Sequence, residues 1–188
     1  LAVIEALQPE VGALRARRSH IEAAHTKILW RLGRALESRA ALDRALRMTR
    51  GQNAHDRARH IMYEGFALYA DGDLAHAVSS WETALTLFER MECMRDQLSV
   101  LLLLCDGYAE AGQFERARTC GESAQAIASG LACPDLEATS VLKLAVLHGR
   151  RWNWDDAKRW MTRAQAILED HPLDLPTVTH ARIRAELA

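Results

Sequence analysis

The sequence predicts an all-α fold built from antiparallel helical hairpins, and three observations support this prediction. Small and aromatic residues recur at a spacing of 40 through most of the 188-residue chain. Apolar side chains between the turns are three and four residues apart, which is the spacing of one helix face. The alternating apolar and polar runs that mark strands are missing from the sequence. Because one hairpin cannot bury its apolar face alone, we expect several hairpins to stack in a single domain.

The clearest hairpin lies in residues 65–89. Gly72 can adopt the positive φ that ends one helix, and Asp73 can cap the next. Two residues lack bulk and allow the helices to approach closely, Gly65 and Ala77. One face of the second helix carries its large and small apolar residues at helical spacing, namely Trp81, Ala84, Leu85 and Phe88.

The residue pattern of this hairpin repeats along the chain. Gly112 follows Gly72 at the same spacing of 40, and the small residues of the second helix return as Ala117, Ala124, Ala157 and Ala164. Trp152 stands in the turn position of the last copy. Toward the N-terminus the spacing between corresponding residues differs from 40 by one, with Gly33 at the turn. The sequence therefore predicts repeats at 15–52, 53–92, 93–133 and 134–171, and a partial repeat at 172–188.

Each predicted helix is bounded by a turn or break signal. Gly51 and Asn53 separate the first two repeats, the segment 130–134 breaks the third from the fourth, and Pro172 follows the fourth. The helix at 97–111 is apolar on most sides, which is typical of a helix between two neighbours. The predicted helices are 15–31, 34–48, 53–70, 74–90, 97–111, 114–129, 135–149, 154–169 and the start of another at 176–188.

Residues 19–170 resemble the tetratricopeptide repeat family in the tight turns, the small close-packing positions and the aromatic residues described above. The resemblance implies a right-handed α-solenoid, a tetratricopeptide-like superhelix, with the first helix of each repeat on the concave face. A period of 40 exceeds the roughly 34 residues of the minimal repeat. Such extended repeats are similar to those in bacterial signal-transducing ATPase regulators of the maltose-activator type, and they share their length with kinesin light chains.

Composition and charge limit the function classes. The chain has 49% apolar and 26% charged residues, which is ordinary for a globular chain. Residues 1–60 carry 12 Lys and Arg against 6 Asp and Glu, and residues 61–140 carry 4 against 13. No groove-reading motif or aromatic platform accompanies the basic end, so we predict solvated outer faces and no direct nucleic-acid binding. The longest apolar run, 100–105, is too short to span a membrane.

Residue patterns for catalysis or metal binding are not found. The four cysteines, at 93, 105, 120 and 133, lack the spacing of a zinc or redox motif. Cys105 occupies the close-packing position of its repeat, and we expect it in the core. No HExxH, phosphate loop or GxSxG motif is present. We therefore predict a protein that is not an enzyme and needs no cofactor or metal, in a reducing, cytoplasmic compartment.

The resemblance implies a partner-binding groove on the first helices of the repeats. Met62, Phe66 and Tyr69 are four and three residues apart and form one stripe, which either holds a peptide or packs against neighbouring helices. Apolar residues stand where chaperone cofactors clamp a C-terminal carboxylate, so we do not expect such tails as ligands. The predicted partner-binding residues are Lys27, Trp30, Arg59, Met62, Phe66, Tyr69, Leu102, Asp106, Leu142, Val146 and Arg150.

These observations predict a protein-interaction scaffold that binds a peptide or protein in its groove. The resemblance implies the sensor or docking region of a bacterial multidomain transcriptional regulator, and we expect the chain to be a piece of such a protein. Two alternatives remain open. A small-molecule effector would contact Trp30, Tyr69, Asp106 and Arg150. A second copy of the chain would stack on apolar ends formed by Leu1, Val3, Ile4, Ile183 and Leu187.

Overall fold

A computed structural model describes residues 34–49, 53–151 and 153–171, and a few separate positions between 14 and 29. These residues form seven α-helices and contain no strand. The helices are α1 (Ala35–Thr49), α2 (Ala54–Ala70), α3 (Leu74–Arg90), α4 (Met94–Glu110), α5 (Phe114–Gly130), α6 (Pro134–Arg150) and α7 (Trp154–Asp170). The all-α prediction is confirmed. No helix of this described part has the length and hydropathy needed to cross a membrane.

The regular part of the chain is a repetition of one helix and one short connection. Helices α2 to α7 are each 17 residues long, and they begin at even intervals, at positions 54, 74, 94, 114, 134 and 154. A hairpin of two helices therefore spans the period that the sequence pattern predicts. The boundaries of α1 to α7 agree with the prediction to within one residue, except that α4 begins at Met94 rather than at residue 97. Pro134 opens α6 one residue earlier than predicted, since proline suits the first helical position.

Helices α2, α3, α4 and α5 are each followed by a residue in the left-handed conformation. Gly72 and Gly112 have φ of 87° and 73°, and the turns between hairpins use Glu92 and Ala132 at 54° and 49°. In each turn the residue after the left-handed one donates its N–H to the carbonyl five residues earlier, as Asp73 does to Leu68 at 2.9 Å. This is a Schellman motif, which satisfies carbonyls left open at the helix end. Asp73 also caps α3, since its carboxylate accepts from the N–H of His76 at 3.2 Å, as predicted.

The chain divides into two compact units, residues 1–87 and 88–188. In the first unit, α2 and α3 meet where Gly65 faces Trp81, which is 1% exposed. The indole Nε1 donates to the carbonyl of Met62 at 3.1 Å. A Cβ on Gly65 would lie 2.6 Å from that nitrogen and 3.1 Å from the Ala77 carbonyl. The predicted close approach of the two helices is therefore confirmed.

In the second unit, the glycine at the contact between the two helices of the hairpin stands on the second helix rather than on the first. Gly121 on α5 occupies the place that Trp81 has one period earlier, and it lies against Cys105 on α4 and Leu144 on α6. A Cβ on Gly121 would meet the Leu144 Cδ2 at 2.7 Å and the Cys105 Sγ at 3.5 Å. Helices α6 and α7 enclose a buried cluster of Ala138, Val141, Leu142 and Ala164, with Trp160, Met161 and Ile167 packed against it. Stacking of α4 to α7 thus supplies the core of this unit.

Candidate functional site

The stripe predicted on α2 belongs mostly to the interior. Met62 and Phe66 are 6% and 8% exposed, and Arg59 is also buried. Tyr69 is partly exposed, and its ring lies 6.3 Å from the Phe66 ring and 5.8 Å from the Trp81 ring. This burial favours the packing alternative for Met62 and Phe66. The predicted residues Lys27 and Trp30 lie outside the described residues.

The second unit has a surface formed by the first helices of two consecutive hairpins, α4 and α6. The Lys143 ammonium on α6 donates to both carboxylate oxygens of Asp106 on α4. Lys143 keeps 14% of its side chain exposed, and Asp106 keeps 47%. The lysine therefore lies under the surface, while the carboxylate remains accessible. This ion pair joins two helices that are separated in sequence by the whole of α5.

The remaining predicted residues of the second unit differ in exposure. Leu102 lies one turn before Asp106 and is partly exposed. Val146 and Arg150 follow Lys143 on the same face of α6, and both are exposed. Leu142 is 2% exposed and belongs to the α6–α7 cluster. We call the set of exposed or partly exposed residues Leu102, Asp106, Val146 and Arg150 the α4–α6 face.

Charge on the α4–α6 face is arranged in a simple way. Lys143 neutralises Asp106 at the centre of the face. The Arg150 guanidinium, at the C-terminal end of α6, has no ion-pair partner among the residues that the structure describes. Val146 is 38% exposed and lies between these two charged positions on α6. The face thus offers an apolar patch, a fixed carboxylate and a solvated guanidinium, which suits a protein segment of mixed character better than a purely apolar one.

Cys105 lies beneath this face, as its predicted core position required. It is 2% exposed, and burial raises the pKa of its thiol to about 12 from the usual 9.0. Lys143 acts in the opposite direction on this pKa, but more weakly than burial. A thiol that remains protonated is a poor nucleophile and a poor metal ligand, so Cys105 serves packing.

Sequence reasoning missed Lys143. Its position does not fit a carboxylate clamp, and the pattern alone assigns it no other role, whereas the structure shows that it orients Asp106. A signal for the pair existed in the sequence, since residue 143 follows residue 106 by 37, about one repeat. The period places the two residues on neighbouring first helices. It does not say which turn of one helix meets which turn of the other, and that offset decides the pairing.

The geometry defines a class, the tetratricopeptide-like helical-repeat solenoids. BtubC (BKLC) from P. vanneervenii superposes with a TM-score of 0.67 at 16% identity, over 94% of this chain and 80% of that one. A kinesin light chain-like protein of Podosopora anserina with TPR-like repeats gives a TM-score of 0.59 at 16% identity, covering 89% and 86% of the two chains. These likenesses establish the fold.

A further similar structure is larger than this chain. A Rap protein complexed with Competence and Sporulation Factor has a TM-score of 0.67 at 13% identity, over 83% of this chain. The chain spans 44% of that protein and 45% of aspartyl phosphate phosphatase F from Bacillus subtilis. No protein-family model matches the chain, and no curated protein matches it.

Proposed function

We propose that this protein is a non-enzymatic scaffold that binds a protein or peptide on the α4–α6 face. The observation that carries this proposal is the Asp106–Lys143 pair, which holds a half-exposed carboxylate in place between two helices. A side chain that is already ordered loses little further conformational entropy when a partner binds. The partner segment that fits carries an apolar side chain for Leu102 and Val146 and polar or charged groups beside it.

Two features of similar proteins support a binding role. The Rap structure contains a bound factor, Competence and Sporulation Factor. Stacked helical hairpins generally present their first helices as an extended surface for a partner. Neither feature names a partner for this chain. The extended repeat supports a narrower proposal, in which the chain is a sensor or docking region within a bacterial transcriptional regulator in the cytoplasm.

The test compares two charge-matched double variants. Val146→Glu with Arg150→Glu alters the α4–α6 face at exposed positions. Ala126→Glu with Lys158→Glu makes the same change of charge on exposed parts of α5 and α7. Phe66 and Met62 are unsuitable targets because they are buried, so substitutions there would report on stability.

Partners would be captured from host lysate, identified by mass spectrometry, purified and titrated by calorimetry against the parent and both variants. We expect the identified partner to bind the parent and the Ala126/Lys158 variant with similar Kd, and to bind the Val146/Arg150 variant at least tenfold more weakly. Equal affinity for all three proteins would refute the α4–α6 face as the docking site. A co-purified metabolite whose binding depends on Arg150 would support the small-molecule alternative. The residues of the self-association alternative lie outside the described residues.

A further inference from the structure

The turn between α6 and α7 contacts the start of α5, the second helix of the preceding hairpin. Arg151 lies in this turn, and its guanidinium is 5.7 Å from the centroid of the Phe114 ring. The same guanidinium forms an ion pair with Glu115. Phe114 and Glu115 are the first two residues of α5. One arginine thus joins two consecutive hairpins, and we call Phe114, Glu115 and Arg151 the turn clasp.

The first unit contains an ion pair at a comparable place. Asp71, which precedes Arg151 by two periods of 40, lies in the turn after α2. Its carboxylate accepts from the Arg39 Nη1 at 2.9 and 2.8 Å. Arg39 is near the start of α1, the second helix of the preceding hairpin, so here the acid stands on the turn and the base on the helix. A charged link from a turn to the preceding helix is therefore found in both units.

Two backbone hydrogen bonds close the turn after α6. The N–H groups of Arg151 and Asn153 both donate to the His148 carbonyl, each at 3.1 Å. In the two preceding hairpins this turn contains a glycine at positive φ, whereas the sequence has Trp152 at the corresponding position. Glycine is the residue best suited to the end of a helix, so a turn without it depends more on contacts from outside.

The ionisation of Glu115 is part of the turn clasp. Hydrogen bonds from Arg118, on the same helix, and from Arg151 lower the pKa of Glu115 below its ordinary 4.5. Both cations therefore favour the charged carboxylate. The ion pair is complete above the ordinary pKa and is lost as the pH falls through the lowered value. At neutral pH the ion pair and the cation–π contact thus hold Arg151 together.

We propose that the turn clasp controls the local opening of the α6–α7 turn, so that loss of Arg151 frees this turn while the rest of the second unit stays folded. In stacked helical repeats, stability is approximately the sum of the stability of each repeat and of the contacts between neighbours. The contact of Gly121 with Leu144 lies along the helices, whereas the clasp acts at the turn. Removing the clasp therefore weakens the turn first. The clasp shares no residue with the α4–α6 face and stands independently of the proposed function.

Native-state hydrogen exchange, followed by NMR on the ¹⁵N-labelled 188-residue protein, measures this opening. The reporter is the Asn153 amide, whose bond to the His148 carbonyl breaks when the turn opens. The Cys133 amide, bonded to the Ala128 carbonyl at 3.0 Å in the turn between α5 and α6, reports on the rest of the unit. Arg151→Gln should raise the exchange rate of Asn153 roughly 2- to 10-fold and leave that of Cys133 unchanged.

Three further variants separate the clasp from a general effect of charge. Lys158→Gln removes the same charge from an exposed position of α7 and should leave the Asn153 rate unchanged. Glu115→Gln should raise this rate less than Arg151→Gln, because the ring contact remains, and the double variant should exchange no faster than Arg151→Gln alone. The proposal is overturned if Arg151→Gln leaves the Asn153 rate unchanged, if Lys158→Gln raises it equally, or if the double variant exchanges faster. An equal rise at Cys133 would also overturn it, since the clasp would then act on the stability of the whole unit.

Discussion

Replacing Gly65 by alanine should destabilise the first unit, although alanine is the better helix former. At a helix position with free space around it, replacing glycine by alanine stabilises the folded protein by about 0.5–1 kcal/mol. Here the new Cβ would lie 2.6 Å from Nε1 and 2.7 Å from Cδ1 of Trp81. Ordinary carbon contacts are about 3.5–4.0 Å, so the indole would have to recede by roughly 1 Å.

The cost follows from what Trp81 does in the native structure. It is 1% exposed and donates to the Met62 carbonyl at 3.1 Å. Overpacking of a core costs about 1–3 kcal/mol, and an indole N–H left buried without its acceptor costs about 1–3 kcal/mol more. After subtracting the helix gain, we expect a net loss of about 1–5 kcal/mol. For a chain of this size each kcal/mol lowers Tm by about 2–4 °C.

Urea and thermal unfolding, followed by circular dichroism, would measure this loss. Gly130→Ala is the matched control, because a Cβ on that helical glycine meets nothing within 4 Å and should leave Tm unchanged or raise it. In a Trp81→Leu background most of the penalty of Gly65→Ala should disappear, since the two indole atoms are gone and only the Ala77 carbonyl, at 3.1 Å, remains close to the new Cβ. The reasoning fails if Gly65→Ala raises Tm as Gly130→Ala does, or if the penalty is undiminished without Trp81.

Three further predictions follow from the turns, the buried thiol and the interhelical ion pair. Ala132→Gly should raise the free energy of unfolding by about 1 kcal/mol, because Ala132 has φ of 49°. Gly112→Ala should lower it by a similar amount, because Gly112 has φ of 73°. Urea titrations that show the same sign for both variants would contradict this. The raised pKa of Cys105 keeps its thiol protonated in the folded state while the unfolded thiol ionises above about pH 9. The free energy of unfolding should therefore fall between pH 9 and 12 by up to about 1.4 kcal/mol per pH unit, and a Cys105→Ala variant that shows the same decline would exclude this cause. A double-mutant cycle of Asp106→Ala and Lys143→Met should give a coupling of about 1 kcal/mol that weakens with salt, and a zero coupling would mean that the pair does not hold α4 to α6.

The helices and turns were predictable because their causes are local. Gly72 and Gly112 marked turns, since a residue without a Cβ adopts positive φ without strain. Glu92 and Ala132 occupy the same conformation without a sequence signal, because the neighbouring helices impose it there. The start of α4 is three residues earlier than predicted. The charged residues Arg95 and Asp96 suggest a link, yet the backbone N–H of Gln97 donates to the Cys93 carbonyl at 3.0 Å, which makes residues 94–96 the first turn of the helix.

The candidate surface was predictable only in part. Helical spacing placed Met62, Phe66 and Tyr69 on one stripe, but spacing does not tell a buried stripe from an exposed one. The same spacing selected Val146 and Arg150, which are exposed. What differs between the two groups is the set of helices packed around them, and this is a property of the tertiary structure.

The sequence by itself determined the helical class, the period of 40 and the close approach at Gly65, since each follows from residue size, backbone conformation or periodicity along one segment. Only the tertiary structure decided that Lys143 meets Asp106 and that Arg151 lies over Phe114 and beside Glu115. The physical reason is that these contacts join residues about one repeat apart. Their pairing depends on the axial offset and rotation of one packed helix against another, which side-chain volumes set collectively and no single segment encodes.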